Sequence, residues 1–78
     1  MSSYVKGTYI QKIYASDTGY TVGLFKVLET NDEELIEYKN RLINFVGTFA
    51  NIKEKSNYIF RGNCINHPRY GFQYSVLE

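Results

Sequence analysis

The chain is predicted to fold as an all-β domain, a five-stranded antiparallel Greek-key barrel. Three observations carry that expectation. Eight tyrosines and five phenylalanines among 78 residues bias the chain towards strands and supply large buried area per residue. Strand-length runs alternate with segments rich in Gly, Pro, Asp, Asn and Ser, the residues that turns require. Gly7, Gly23, Gly47 and Gly62 fall inside four of those runs, where glycine marks bulges, bends or close backbone approach, so the sheet is expected to coil and close on itself.

Residues 4–14 open the domain with Tyr, Val, Ile and Thr, and Ala15-Ser16-Asp17-Thr18-Gly19 follows with the Asp and Gly of a hairpin connection. Residues 20–29 are the natural partner strand. Glu29, Asp32, Glu33, Glu34 and Glu37 then crowd together in a solvated loop or short helix that Asn31 or Asp32 could cap, leaving the remainder of the chain basic. Residues 41–49 carry Leu42, Ile43, Phe45, Val46 and Phe49, and a polar turn at 53–57 leads to residues 58–65; these two runs are expected to form a second hairpin. Phe45 and Phe60 are expected in the core. His67-Pro68-Arg69-Tyr70-Gly71 bends the chain next. The proline pins its own φ and pushes His67 into an extended conformation, and Gly71 can take the positive φ of a tight reversal. Residues 72–77 form the fifth strand. Apolar residues on both faces of the second and third runs favour a closed barrel over a flat sheet. An OB-fold is the leading architecture and an SH3-like barrel the alternative, because both have five strands and periodicity does not separate them.

The length suits one domain, 1–78, with one core. Cys64 is the only cysteine, so no intrachain disulfide forms, and a lone thiol without a signal peptide suits a reducing cytoplasm. No apolar run approaches the roughly 20 residues of a membrane span, so a soluble protein with no membrane partner is expected. Nine Lys plus Arg against eight Asp plus Glu leaves a net charge of +1, and any nucleic-acid site must therefore be a local patch. Catalytic chemistry is disfavoured by elimination. One His and one Cys do not make a metal site, and Cys64 with His67 lacks an orienting partner for nucleophilic work. No glycine-rich loop ending in Lys-Ser or Lys-Thr occurs, so the chain by itself is expected to hold no cofactor and to be no enzyme.

Binding is better served. Tyr9, Lys12 and Tyr14 in the first run, Tyr20 and Lys26 in the second, then Arg61, Arg69 and Tyr70 interleave rings with cations. Small barrels grip single-stranded nucleic acid with such sets, bases stacking on rings while cations follow the backbone. The candidate site therefore places Lys12, Lys26, Arg61 and Arg69 on phosphates and Tyr9, Tyr14 and Tyr70 under bases. Two bland readings stand beside it. The tyrosines cover the core with only their hydroxyls wet, or the exposed rings form a protein-docking or architectural surface without nucleic-acid contact. The final turn likewise serves either to pair the last two strands or to present Arg69 and Tyr70 to a partner.

Tyr4-Val5-Lys6-Gly7, Asp17 with Gly19-Tyr20-Thr21-Val22, Val46-Gly47, Tyr58-Ile59-Phe60-Arg61-Gly62 and His67-Pro68-Arg69-Tyr70-Gly71-Phe72-Gln73-Tyr74 resemble, almost end to end, the N-terminal OB-fold domain of bacterial RecD-like (RecD/TraA family, YrrC-type) DNA helicases, relatives of the exodeoxyribonuclease V alpha subunit. The last of these runs is the most specific, and Gly-Tyr-Thr-Val supports it. The resemblance implies a cytoplasmic parent hydrolase that unwinds duplex DNA with 5′ to 3′ polarity, using ATP and magnesium, in DNA repair. It implies an accessory, non-catalytic role for this domain, with the remainder of the parent helicase, single-stranded DNA and a DNA-repair protein as candidate partners. The family's motor motifs are absent from these residues, so no catalytic residue carries over. Leu77-Glu78 reads as a cloning remnant ahead of a purification tag, in keeping with an excised N-terminal fragment.

Overall fold

A computed structural model describes residues 3–69 and 71–77. Its strands are β1 (Ser3–Ala15), β2 (Tyr20–Thr30), β3 (Leu42–Thr48), β4 (Asn57–His67) and β5 (Gly71–Val76), with a 3-10 turn at Ile36–Tyr38 between β2 and β3. They close into a barrel in the order β1-β2-β3-β5-β4. The first half of β1 belongs to both sides of the closure, since Val5 pairs with Thr30 of β2 and with Phe60 of β4. The last seam joins β3 to β5 at Phe45–Tyr74 and Val46–Ser75. This is the OB-fold arrangement, and the SH3-like alternative falls away.

Two expectations are corrected. The seam between β3 and β5 is parallel, not antiparallel. The expected β3–β4 hairpin does not form either, because both edges of β3 are taken, by β2 from Tyr20–Thr48 to Lys26–Leu42 and by β5. The chain after β3 instead crosses to β1. There the Tyr9 N–H donates to the Ser56 carbonyl at 2.9 Å and the Lys55 N–H to the Tyr9 carbonyl at 2.5 Å, which delivers β4 to the free edge of β1.

Strand alternation fills the interior. Along β2, Thr21, Gly23, Phe25 and Val27 are buried while the residues between them are more open, as the two-residue period of a strand requires. Phe45 sits at the centre of the ring cluster, with centroids 5.3 Å from Tyr9, 5.9 Å from Phe25, 5.9 Å from Phe49 and 5.1 Å from Phe60. Phe45 and Phe60 are core residues, as the sequence led us to expect. Tyr9 is a correction to the candidate site. It is 2 % exposed and packs edge-on against Phe45, so no base can stack on it; burial, with Glu54 and Tyr58 nearby, pushes its phenol above the ordinary value. Leu35, from the acidic segment, is fully buried in the same cluster. The tight coiling is visible at Gly7 and Gly62, where a Cβ would run into the carbonyl oxygens of Lys26 and Ser75; only glycine allows the strands to pass so closely.

The acidic segment also contributes a latch. Asp32 Oδ2 accepts from the Ser3 hydroxyl at 2.8 Å and from the Cys64 thiol at 3.3 Å, and Asp32 Oδ1 accepts the Glu34 N–H at 2.9 Å. The Tyr74 hydroxyl donates to the Ser3 carbonyl at 2.9 Å. One carboxylate thereby ties the start of β1 to β4 and to the connection after β2. Burial, the hydrogen bond to Asp32 and the nearby carboxylates push the Cys64 thiol up to about 12, so this cysteine stays protonated and is no nucleophile. Burial opposes ionisation of Asp32, but its three donors outweigh that and hold the carboxyl below its usual range. A carboxyl depressed on folding stabilises fully above its unfolded value near pH 3.9, and that contribution is lost as pH falls through the folded value. The urea midpoint of the native chain is therefore expected to drop more steeply than that of Asp32→Asn as pH falls from 5 to 2; parallel profiles would contradict the latch.

Candidate nucleic-acid interface

The outer face of β2 and β3 and the two loops at one end of the barrel form a groove. Two register shifts in β1, between Tyr9 and Gln11 and between Lys12 and Tyr14, break the strict alternation of that strand. Ile13 and Tyr14 are consequently both exposed, at 56 % and 54 %. They line a hollow of about 540 Å³ together with Tyr20, Val22, Asn44, His67 and Gln73. A second hollow of about 510 Å³ shares Tyr20, His67 and Gln73 and runs on over Val46, Thr48 and Ser75. Tyr20 is 41 % exposed and stands where the two meet.

The flanking loops are held by their own backbones. In the β1–β2 connection the Ser16 N–H donates to the Tyr20 carbonyl at 2.9 Å and the Gly19 N–H to the Ser16 carbonyl at 3.1 Å, while the Phe49 N–H donates to the Gly19 carbonyl at 3.0 Å. In the β4–β5 connection Gly71 takes φ 79° and pairs with His67. The Arg69 N–H donates to His67 Nδ1 at 3.0 Å, which orients the imidazole at the groove and keeps Arg69 beside it. The groove floor consists of outward residues that are nonetheless covered. Phe45 and Tyr74 fill the barrel, so their neighbours Val46 and Gln73 point the other way; yet Val46 is 7 % and Gln73 6 % exposed.

The structure assembles only part of the site read from sequence. Tyr14 lines the groove, and Arg69 lies in the loop whose His67 lines it, its backbone N–H donating to that imidazole. Lys26 lies on the same outer face of β2 as Tyr20 but six positions away, about 20 Å along the strand. Lys12 lies between the β1 shifts opposite Gly23, its N–H donating to Glu54 Oε2 at 2.6 Å. Arg61 stands on the β1–β4 wall opposite Tyr4 and lines neither hollow. Tyr9 is in the core, and Tyr70 lies outside the described residues. Tyr20, Ile13, Asn44, His67 and Gln73 were missing from the proposed contact set. Tyr20 was within reach of sequence, being an odd number of positions from the inward Phe25 and Val27.

The charge distribution leaves the groove open to a polyanion. The acidic segment starts at the opposite end of β2 from Tyr20, about 30 Å of strand away. Among the described residues no group of three or more His, Cys, Asp or Glu side chains could hold a metal ion, and no helix is long and apolar enough to cross a membrane.

No solved structure matches the chain. A family model described as the OB-fold domain of the ATP-dependent DNA helicase YrrC matches residues 2–78. That match spans every strand of the barrel, and the strand order is the one an OB-fold requires. The chain belongs to the family of OB-fold domains of the ATP-dependent DNA helicase YrrC.

Proposed function

We propose that this domain is a non-catalytic accessory module of a RecD-like, ATP-dependent 5′–3′ DNA helicase acting in DNA repair, and that it holds single-stranded DNA in the groove between the β1–β2 and β4–β5 loops. One observation carries the reading: Tyr14 and Tyr20 are half-exposed and line one hollow on the β2–β3 face, the face by which OB-folds bind oligonucleotides. Half-exposed rings at a concave surface provide stacking platforms for bases, each contributing ~1–3 kcal/mol. Arg69 at the loop, and Lys26 further along the same face, would follow the phosphates. ATP and magnesium would be held by the motor portion of such a helicase, since these 78 residues contain no phosphate-binding glycine loop.

The test is fluorescence anisotropy of a labelled single-stranded 12-mer titrated with the folded chain at low and moderate salt. Saturable binding that weakens as salt rises is expected, with a slope of about −0.7 for each phosphate neutralised. Absence of binding at high micromolar protein, with an intact circular dichroism spectrum, would defeat the proposal in favour of docking on the parent helicase or a repair protein.

A further inference from the structure

We infer that Gln73 is a base-reading residue and that the groove prefers adenine at the position beside Tyr20. The inference rests on the single-stranded DNA reading above and adds a specificity to it. Gln73 is 94 % buried, lines both hollows, and its side-chain amide makes no hydrogen bond to a described residue. No sealed side-chain nitrogen or oxygen among the described residues lacks a partner, so the open end of this amide is the groove itself. Water reaches that open end in the free protein, and whatever displaces it must itself be a hydrogen-bonding partner for the amide. Its neighbours say what that partner is. Tyr20 stands over the same two hollows, Asn44 shares one of them, and the floor beside Gln73 is the apolar Val46. Among the described residues no lysine or arginine lines either hollow, so a phosphate has no counter-charge there. A flat, neutral, hydrogen-bonding ring meets all three conditions, with its face on Tyr20 and its edge on the amide.

The amide chooses among bases by its own pattern, one N–H donor beside one carbonyl acceptor. Adenine presents a donor next to an acceptor on both edges, N6–H with N1 and N6–H with N7, and the second is the usual partner of Gln in sequence readout. Cytosine and thymine match an amide only on the Watson–Crick edge, and guanine's second matching pair, N2–H with N3, lies against its own sugar. Adenine can therefore dock in either orientation, and as a purine it offers the larger face for stacking on Tyr20.

The experiment uses thymine 12-mers carrying one central variable position, so that backbone and length stay constant. Adenine at that position is expected to bind at least about fivefold more tightly than thymine or cytosine, as one bidentate contact provides. Replacing that adenine by purine, which lacks the 6-amino group, should abolish the preference without touching the protein. Gln73→Met, which removes no internal hydrogen bond and nearly preserves volume, should lose the adenine preference, binding the adenine-containing and all-thymine oligomers with equal affinity while the salt slope keeps its native value. Equal affinity for all bases, preference for another base, or an adenine preference that survives in Gln73→Met or with purine would overturn the inference while leaving DNA binding in place. Failure of every oligomer to bind would overturn both.

Discussion

Phe45→Ala should leave the chain largely unfolded at 37 °C, the most severe effect we expect from any single side-chain truncation. Its ring touches four others, from β1, β2, β4 and the segment after β3, so the cavity would open where the walls of the barrel meet. Removing a buried Phe costs ~3–5 kcal/mol. A core of this size rarely supplies more than about 3–5 kcal/mol in total. The chain has no disulfide to fall back on, Cys64 being its sole cysteine. Urea denaturation followed by circular dichroism is the measurement, and a loss below about 1 kcal/mol would mean that the ring cluster collapses around the gap more freely than close packing allows. Ile13→Ala should cost far less by the same measurement, because that side chain is 56 % exposed.

The contrast between Phe45 and Ile13 marks what could be read from the chain. Phe25, Val27, Phe45 and Phe60 announce their faces because they lie in strands where alternation holds, and the Gly and Pro punctuation placed every strand to within two residues. Alternation, however, gives the face of a residue and not the neighbour of its strand. It offered no reason for β4 to leave β3 and pair with β1, a choice made by the filled edges of β3 and the crossing segment held to Tyr9. The candidate site was less legible for two physical reasons. The register shifts in β1 undo parity beyond Tyr9, so that Ile13, an even number of positions from that inward ring, is exposed beside Tyr14. Gln73 is buried by groove walls far away in sequence, and no local pattern reports such cover. Cations were equally ambiguous, because their positions around a closed barrel depend on strand order; Arg61 and Lys26 are on different walls for that reason.

The double variant Tyr14→Ala/Tyr20→Ala should weaken single-stranded DNA binding by well over tenfold, the largest effect expected on function. Two stacking platforms at ~1–3 kcal/mol each set that scale. Stability should change little by comparison, because both rings are about half exposed and neither belongs to the buried cluster. The salt dependence discriminates between causes. Stacking contributes no released counterions, so the double variant should keep the native slope of log affinity against log salt while its affinity falls at every salt concentration. Arg69→Ala should do the reverse, flattening the slope by about 0.7 with a smaller loss at moderate salt. If Tyr14 and Tyr20 instead form a protein-docking surface, DNA affinity in the double variant would match the native chain and the slope would carry no distinction. Anisotropy titrations at three salt concentrations separate these cases. Only a fall in affinity at constant slope assigns the two rings to bases, because a groove that merely attracted DNA by charge would keep both slope and affinity when two neutral rings are removed.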